Sequence, residues 1–163
     1  GLQLQLLLYL AAALSRVPGS HAAGFFYCRI ADPTVKTESR IREEVEKQIA
    51  KKLSLQGISL SDVTILRAQG GSVASMVTKD GKPNGRYAAS MVDEAGMEKL
   101  LDFAKRKAAE LAGEIYRGEM DDSPVERGAF NACQNCEYSA ICAFDPMRKP
   151  RRRLTAKKLD DFL

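Results

Sequence analysis

The sequence predicts a mixed α/β fold, and three stretches of the chain carry that prediction. Residues 2–14 form an apolar helical run, and an aromatic and β-branched run over residues 24–30 follows after a Pro-Gly loop. A buried helix that leads into a buried strand is typical of an α/β core. Over residues 96–118, apolar side chains recur at spacings of three and four, which predicts a long amphipathic helix. A chain of 163 residues, 45% of them hydrophobic, is long enough to bury such a core.

The first run is apolar around its circumference, so we expect a helix that is buried on nearly all sides. A secretory signal peptide is the alternative, and it would make disulfide partners of the four cysteines. The run has no basic residue before it and is too short to span a bilayer, which favours the buried helix. We also expect that residues upstream of this helix are missing from the chain, which is then part of a longer protein.

The elements between and after these stretches are predicted from shorter patterns. Charged residues surround apolar positions spaced by four from Ile41 to Leu53, which predicts an ordinary surface helix over 38–53. The remaining predictions are a short strand or turn-rich edge at 60–66, a flexible loop or hairpin at 69–86, an extended segment at 124–128 and a short amphipathic helix at 154–163.

Three cysteines near the C-terminus, Cys133, Cys136 and Cys142, form a C-x2-C-x5-C pattern. The close pair lets two thiolates bind one metal ion or cluster, and the longer second gap lets the chain return with a third. The pattern indicates a metal-type site for zinc or an iron-sulfur cluster, and Cys28 and His21 are the candidates within the chain for a fourth ligand. The alternative is that these cysteines are small buried side chains or disulfide partners.

A basic run follows the cysteines. The net charge of the chain is only +4, but seven basic residues and no acidic one fall within residues 148–158. Such a run favours a polyanion, most simply nucleic acid, and the alternative is a solvated arm that only aids solubility. Its members are Arg148, Lys149, Arg151, Arg152, Arg153, Lys157 and Lys158.

Two polar residues interrupt the apolar first helix. Gln5 and Tyr9 are four residues apart and therefore project from the same helical face. If they are buried, the amide and the hydroxyl need hydrogen-bond partners, which neighbouring backbone groups are able to supply. Taken alone, the pair does not distinguish a structural role from a functional one.

The Gln-x-x-x-Tyr helix and the distal cysteine pattern together resemble the nuclease domain of RecB-like enzymes with an iron-sulfur clasp. Within that group, the chain is most similar to AddB-type subunits of bacterial ATP-dependent helicase-nucleases. The resemblance implies the C-terminal part of a PD-(D/E)xK fold, a mixed sheet with flanking helices that is incomplete on its N-terminal side. In that fold, an Asp and a (Asp or Glu)-x-Lys pair bind Mg²⁺ and support cleavage of DNA phosphodiesters. The stretches that carry the resemblance are residues 2–10, 24–27, 113–118 and 132–145.

The resemblance also implies roles for individual residues. Gln5 and Tyr9 would be accessory catalytic residues beside the active site. Cys133, Cys136 and Cys142 would bind a 4Fe-4S cluster whose fourth cysteine lies outside this chain. In the family the Mg²⁺-binding carboxylates precede the Gln-x-x-x-Tyr helix, and no Asp or Glu occurs here before Asp32, so the chain alone is expected to be inactive.

Cys28 and His21 are expected to have no functional role. We expect Cys28 to be a buried strand thiol, because the family places no ligand in the strand after the Gln-x-x-x-Tyr helix. His21 follows a Pro-Gly-Ser loop, and we expect it to be a solvated loop histidine.

The predicted organisation is a partial nuclease core at 1–130, a cysteine knuckle at 131–147 and a basic tail at 148–163, with Arg148, Lys149, Arg151, Arg152 and Arg153 as nucleic-acid contacts. The resemblance implies a cytoplasmic Mg²⁺-dependent DNA exonuclease in double-strand-break repair, with DNA and an AddA-type helicase subunit as partners. Two alternatives stay open: a zinc-knuckle nucleic-acid-binding module without hydrolytic activity, and a secreted, disulfide-bonded protein.

Overall fold

The structure, a computed structural model of the chain, describes residues 4–36, 41–119 and 123–155. The chain divides into two units, one that runs to Ala108 and one that begins at Ala109. None of the helices in the described ranges combines the length and the apolar character that crossing a membrane requires.

The first unit begins with a helix, α1, at Gln5–Arg16 and a strand, β1, at Gly24–Tyr27. These bounds confirm the helix and the strand predicted at 2–14 and 24–30, although the strand is shorter than predicted. Within α1 only Leu7 is buried. The prediction of a helix buried on nearly all sides is therefore wrong for the described structure. The helix contacts β1, and its other sides stay partly or fully exposed.

Three strands form the sheet of the first unit. β1 pairs antiparallel with β2, Gln56–Leu60, and β2 pairs parallel with β3, Met91–Val92. The sheet is therefore mixed, and the predicted α/β class is confirmed. Gly57 lies opposite Phe26, where a Cβ atom would overlap the carbonyl oxygen of Phe25. Only glycine lets the two backbones approach this closely.

Two helices flank β2 in the sequence. α2, Arg42–Lys52, has no buried residue, which confirms the predicted surface helix. α3, Val63–Gln69, begins after Asp62, whose side-chain oxygen accepts a hydrogen bond from the backbone N–H of Ile65 at 3.0 Å. The prediction of a strand or edge at 60–66 is therefore wrong, because the N-cap at Asp62 starts a helix directly after the strand ends.

The glycine-rich stretch after α3 is ordered by turns. A short helix, α4, spans Gly71–Ala74, and an isolated antiparallel bridge joins Val77 to Pro83, as expected for the hairpin alternative. A 3₁₀ helix then covers Gly85–Ser90. This stretch supplies part of the core, because Leu66, Val73 and Met76 form a buried cluster against which Phe26, Leu55, Val77, Tyr87 and Met91 pack.

The longest helix, α5, spans Glu94–Tyr116 and confirms the prediction at 96–118. Asp93 directly precedes the helix, and its carboxylate accepts a hydrogen bond from the backbone N–H of Gly96 at 2.8 Å. The apolar stripe is buried only in the first part of the helix, since Ile115 near its end is 79% exposed. The buried residues of α5 are Gly96, Met97, Leu100, Leu101 and Ala104.

A second small sheet lies in the unit that begins at Ala109. β4, Val125–Arg127, pairs antiparallel with β5, Phe130–Asn131, and parallel with β6, Arg152–Arg153. The extended segment predicted at 124–128 is confirmed. β6 is part of the basic run, so the run is not a free arm up to residue 155. The helix predicted at 154–163 falls outside the described residues from residue 156 onward. The predicted boundaries between the nuclease core, the cysteine knuckle and the basic tail, at 130/131 and 147/148, stay a prediction.

Candidate functional site

Gln5 and Tyr9 contact each other on α1. The side-chain amide of Gln5 donates a hydrogen bond to the Tyr9 hydroxyl oxygen at 2.8 Å, as the spacing of four predicts. Tyr9 is 62% exposed, so the pair lies at the surface of the described structure. Because the hydroxyl accepts this bond, its own hydrogen stays available to donate to a further acceptor, such as a phosphate oxygen.

The three C-terminal cysteines lie in a succession of backbone turns. The Asn131 side-chain oxygen accepts a hydrogen bond from the Cys133 N–H at 2.9 Å, which begins the first turn. The Cys142 N–H donates to the carbonyl oxygen of Tyr138 at 2.9 Å, which closes the last one. Cys133 and Cys136 are half-buried and Cys142 is exposed; all are free thiols.

The fit of these thiols to a metal ion or cluster is partial. Thiolates are the donors that zinc and iron-sulfur clusters take, and one short segment carries three of them. Within the described ranges, however, no three His, Cys, Asp or Glu side chains are gathered in a position to hold a metal ion. The donor chemistry suits such a group, but the arrangement of the donors is not that of a closed site.

The two other candidate ligands belong to the first unit. Cys28 is a free, exposed thiol, so the prediction of a buried strand thiol is wrong. The reason is that β1 ends at Tyr27, which leaves Cys28 beyond the paired strands. The His21 side chain is 78% exposed, as expected, and its Nδ1 lies 3.3 Å from a carboxylate oxygen of Glu94.

The basic run is held by partners of opposite charge. Nε of Arg148 lies 3.5 Å from the Asp145 carboxylate, which also accepts a hydrogen bond from the Met147 N–H at 2.9 Å. Nε of Arg153 donates to the Glu126 carboxylate at 3.0 Å, and these residues face each other across the parallel pair β4 and β6. The structure thus fixes the direction of two arginines that the sequence shows only as members of a charged run.

Arg151 is held in a different way. Its guanidinium lies over the ring of Phe144, 5.8 Å from the centroid, which is within the range of a cation-π contact. Its Nε is buried and has no hydrogen-bond partner among the described residues. Phe144 and Glu126 were missed as site residues in the sequence, since Glu126 lies 27 positions before its partner Arg153 and no local spacing connects them.

Comparisons with known proteins agree with the resemblance seen in the sequence. The family model of the PD-(D/E)XK nuclease superfamily matches residues 1–143. Three similar relatives each bear the name of the B-type subunit of an ATP-dependent helicase/deoxyribonuclease. The protein of Alkaliphilus metalliredigens is 36% identical over 157 residues, which are 89% of this chain and 14% of the relative.

The other two relatives give the same picture. The protein of Moorella thermoacetica is 34% identical over 159 residues, which are 90% of this chain and 14% of the relative. The protein of Clostridium tetani is 34% identical over 178 aligned positions, which cover 100% of this chain and 15% of the relative. The chain therefore spans only 14 to 15% of the length of these relatives.

Proposed function

This chain belongs to the PD-(D/E)XK nuclease superfamily, and from that premise we propose that it forms part of the nuclease domain of an AddB-type subunit of an ATP-dependent helicase/deoxyribonuclease. The observation that carries the proposal is the family match over residues 1–143. The 34 to 36% identity to the three AddB-type relatives, over 89% or more of the chain, supports the specific subunit type.

The proposed reaction is Mg²⁺-dependent exonucleolytic hydrolysis of DNA in the intact protein, during double-strand-break repair. Mg²⁺, when bound, would polarise the phosphodiester and activate a water molecule. The carboxylates that hold Mg²⁺ in this family are expected before the Gln-x-x-x-Tyr helix, and the sequence has no Asp or Glu before Asp32. We therefore expect no DNA cleavage by the 163-residue chain alone.

Gln5 and Tyr9 are proposed as accessory residues of this reaction. The hydrogen bond of 2.8 Å between them fixes the Tyr9 hydroxyl, and exposure of the ring leaves that hydroxyl within reach of a ligand. A fixed neutral donor of this kind orients a carboxylate or a phosphate oxygen without adding charge.

The cysteines are proposed as three ligands of a 4Fe-4S cluster, with the fourth cysteine supplied from outside this chain. Three thiols in one short segment support the proposal. Further proposals that rest on the subunit type are DNA as substrate, an AddA-type helicase subunit as partner and a cytoplasmic location. Arg148, Lys149, Arg151, Arg152 and Arg153 are proposed to contact the DNA.

The test uses the intact protein with its helicase partner, linear DNA and Mg²⁺. We expect cleavage, and we expect Tyr9→Phe to lower its rate by about tenfold or more, as for loss of one hydrogen bond to a charged group. Tyr116→Phe is the matched control, because Tyr116 is 93% exposed at the end of α5. Equal rates for the two variants would contradict the accessory role of Tyr9. Absence of cleavage by the unmodified protein would contradict the proposed function.

A zinc-knuckle nucleic-acid-binding module is the second candidate function. It is favoured by one observation: the cysteine turns and the paired arginines lie in the same unit, which begins at Ala109. Metal analysis of anaerobically purified intact protein separates the two candidates. Iron and sulfide with a broad visible absorption support the cluster, whereas stoichiometric zinc supports the knuckle.

A further inference from the structure

A cleft lies beside the paired strands β4 and β6, entirely within the unit that begins at Ala109. Its volume is about 500 Å³, enough for a sugar-phosphate group. We call it the arginine cleft. It is lined by Glu126, Pro146, Pro150, Arg151 and Arg153.

Arg151 is one of the residues that line this cleft. The Phe144 ring supports one face of the guanidinium, and Arg151 directly precedes β6 in the sequence. The buried Nε–H of Arg151 has no acceptor among the described residues, although a buried donor without a partner is costly. Because this Nε is shielded from solvent, an anionic oxygen in the cleft would meet the remaining N–H donors on the two Nη atoms of Arg151.

Arg153 is positioned by Glu126. The carboxylate accepts from Nε at 3.0 Å, and a guanidinium has further N–H donors on its two Nη atoms. Arg151 and Arg153 are two residues apart, and alternate residues of an extended chain project to the same face. Arg152 lies between them and is paired with Val125 rather than with Glu126, so it projects to the opposite face.

We infer that the arginine cleft binds a backbone phosphate of DNA, with Arg151 and Arg153 as its ligands and Glu126 as the residue that orients Arg153. The inference rests on the proposed function, which makes DNA the polymer that this unit meets. Two arginines that line one cleft suit phosphate, since each guanidinium offers N–H donors to the phosphate oxygens. Arg152, which we also propose to contact DNA, lies outside the cleft lining and contributes general attraction to the polyanion.

The alternative is that the basic run attracts DNA through its total charge and that each arginine contributes equally to the binding affinity. The two views predict different results for neighbouring arginines. Charge alone makes every Arg→Ala variant weaken binding equally, whereas a built phosphate site makes the cleft arginines matter more than Arg152. Arg152→Ala is therefore the matched control, with the same change in charge at the adjacent position.

The experiment measures binding of a fluorescent thymidine oligonucleotide to the 163-residue chain across a series of salt concentrations. We expect Arg151→Ala and Arg153→Ala each to weaken binding about tenfold, as for loss of a hydrogen bond to a charged group. Each should also lower the slope of log K against log salt by about 0.7, the value for one phosphate contact on a single strand. Arg152→Ala should weaken binding by less than about threefold, because it removes charge without a ligand.

A second measurement does not depend on the folding of any variant. In the unmodified chain with ¹⁵N-labelled arginine, the Nε–Hε signals of Arg151 and Arg153 should shift on addition of the oligonucleotide, and that of Arg152 should shift less. Equal shifts and equal losses of affinity at the three positions overturn the cleft and leave the proposed nuclease function untouched. If Arg151→Ala and Arg153→Ala weaken binding more than Arg152→Ala does, but the intact protein cleaves no DNA, the phosphate site in the arginine cleft is supported and the proposed nuclease function is overturned. If the unmodified chain binds no oligonucleotide, the cleft is overturned.

Discussion

Different interactions stabilise the interior of each of the two units of the chain. In the first, buried apolar side chains around Leu66, Val73 and Met76 pack beside a three-stranded sheet. In the second, the described residues include only one buried hydrophobic side chain, Val125, and short strand pairs, turns and ion pairs connect the rest. Packing therefore specifies the first unit, and backbone hydrogen bonds, with a small contribution from each local charge pair, specify the second. Substitutions should separate the two contributions.

The largest effect is expected for Leu66→Ala. Leu66 is 0% exposed, so the substitution leaves a cavity and should cost about 2–5 kcal/mol of unfolding free energy. Native-state amide hydrogen exchange reads each unit separately. The amides of β2 should lose protection, whereas those of β4 should exchange as before. Equal loss in β4 would contradict the contrast between the units, and Ile30→Ala, at a side chain 99% exposed, is the control.

A backbone test of the first unit is Gly57→Ala. The added Cβ would overlap the Phe25 carbonyl oxygen, so β1 and β2 must separate, at a cost of about 1–3 kcal/mol or more. Gly85→Ala is the matched control, because nothing lies within 4 Å of a Cβ at Gly85. Urea unfolding, monitored by circular dichroism, measures the unfolding free energies of both variants. A loss as small for Gly57→Ala as for Gly85→Ala would show that the strands do not pack as closely as described.

The second unit should respond to its turn glycine. Gly128 connects β4 to β5 with φ +56°, and no heavy atom lies within 4 Å of a Cβ there. Gly128→Ala should therefore cost only the strain of a left-handed residue, about 1–2 kcal/mol. Gly128→Asn should cost less, because asparagine adopts this conformation more easily than alanine does. Exchange of the β4 amides measures the change, and equal exchange in the two variants would contradict strain as its cause.

The elements that the sequence predicts well are those with a local signal. The spacing of Met97, Leu100 and Ala104 marks the long helix, and the run Gly24–Tyr27 marks a strand, since both patterns are complete within one element. The N-cap at Asp62 is also local, but the β-branched residues that follow it favour a strand by composition. Packing of Leu66 into the core outweighs that preference.

Apart from the Gln5–Tyr9 contact, which the spacing of four predicts, the candidate site was predictable only as a set of residue types. Cys133, Cys136 and Arg151 stand out by spacing and charge, whereas the structure adds that the Asn131 side chain accepts from the Cys133 N–H and that Phe144 lies beside Arg151. β6 pairs with β4, and the whole cysteine segment lies between these two strands in the sequence. No periodicity near Arg152 therefore reveals that a strand of two residues forms there. Pairings between distant segments depend on tertiary contacts, which a local pattern does not contain.

The smallest effect is expected for Glu126→Gln, the charge pair of the second unit. Arg153 is 85% exposed and Glu126 30% exposed at their side chains, so solvent screens the pair and its loss should cost less than about 1 kcal/mol. A double-mutant cycle with Arg153→Gln isolates the coupling, which should fall as salt is added. A coupling as large as the effect of Leu66→Ala would instead contradict the view that local charge pairs in the second unit contribute little individually.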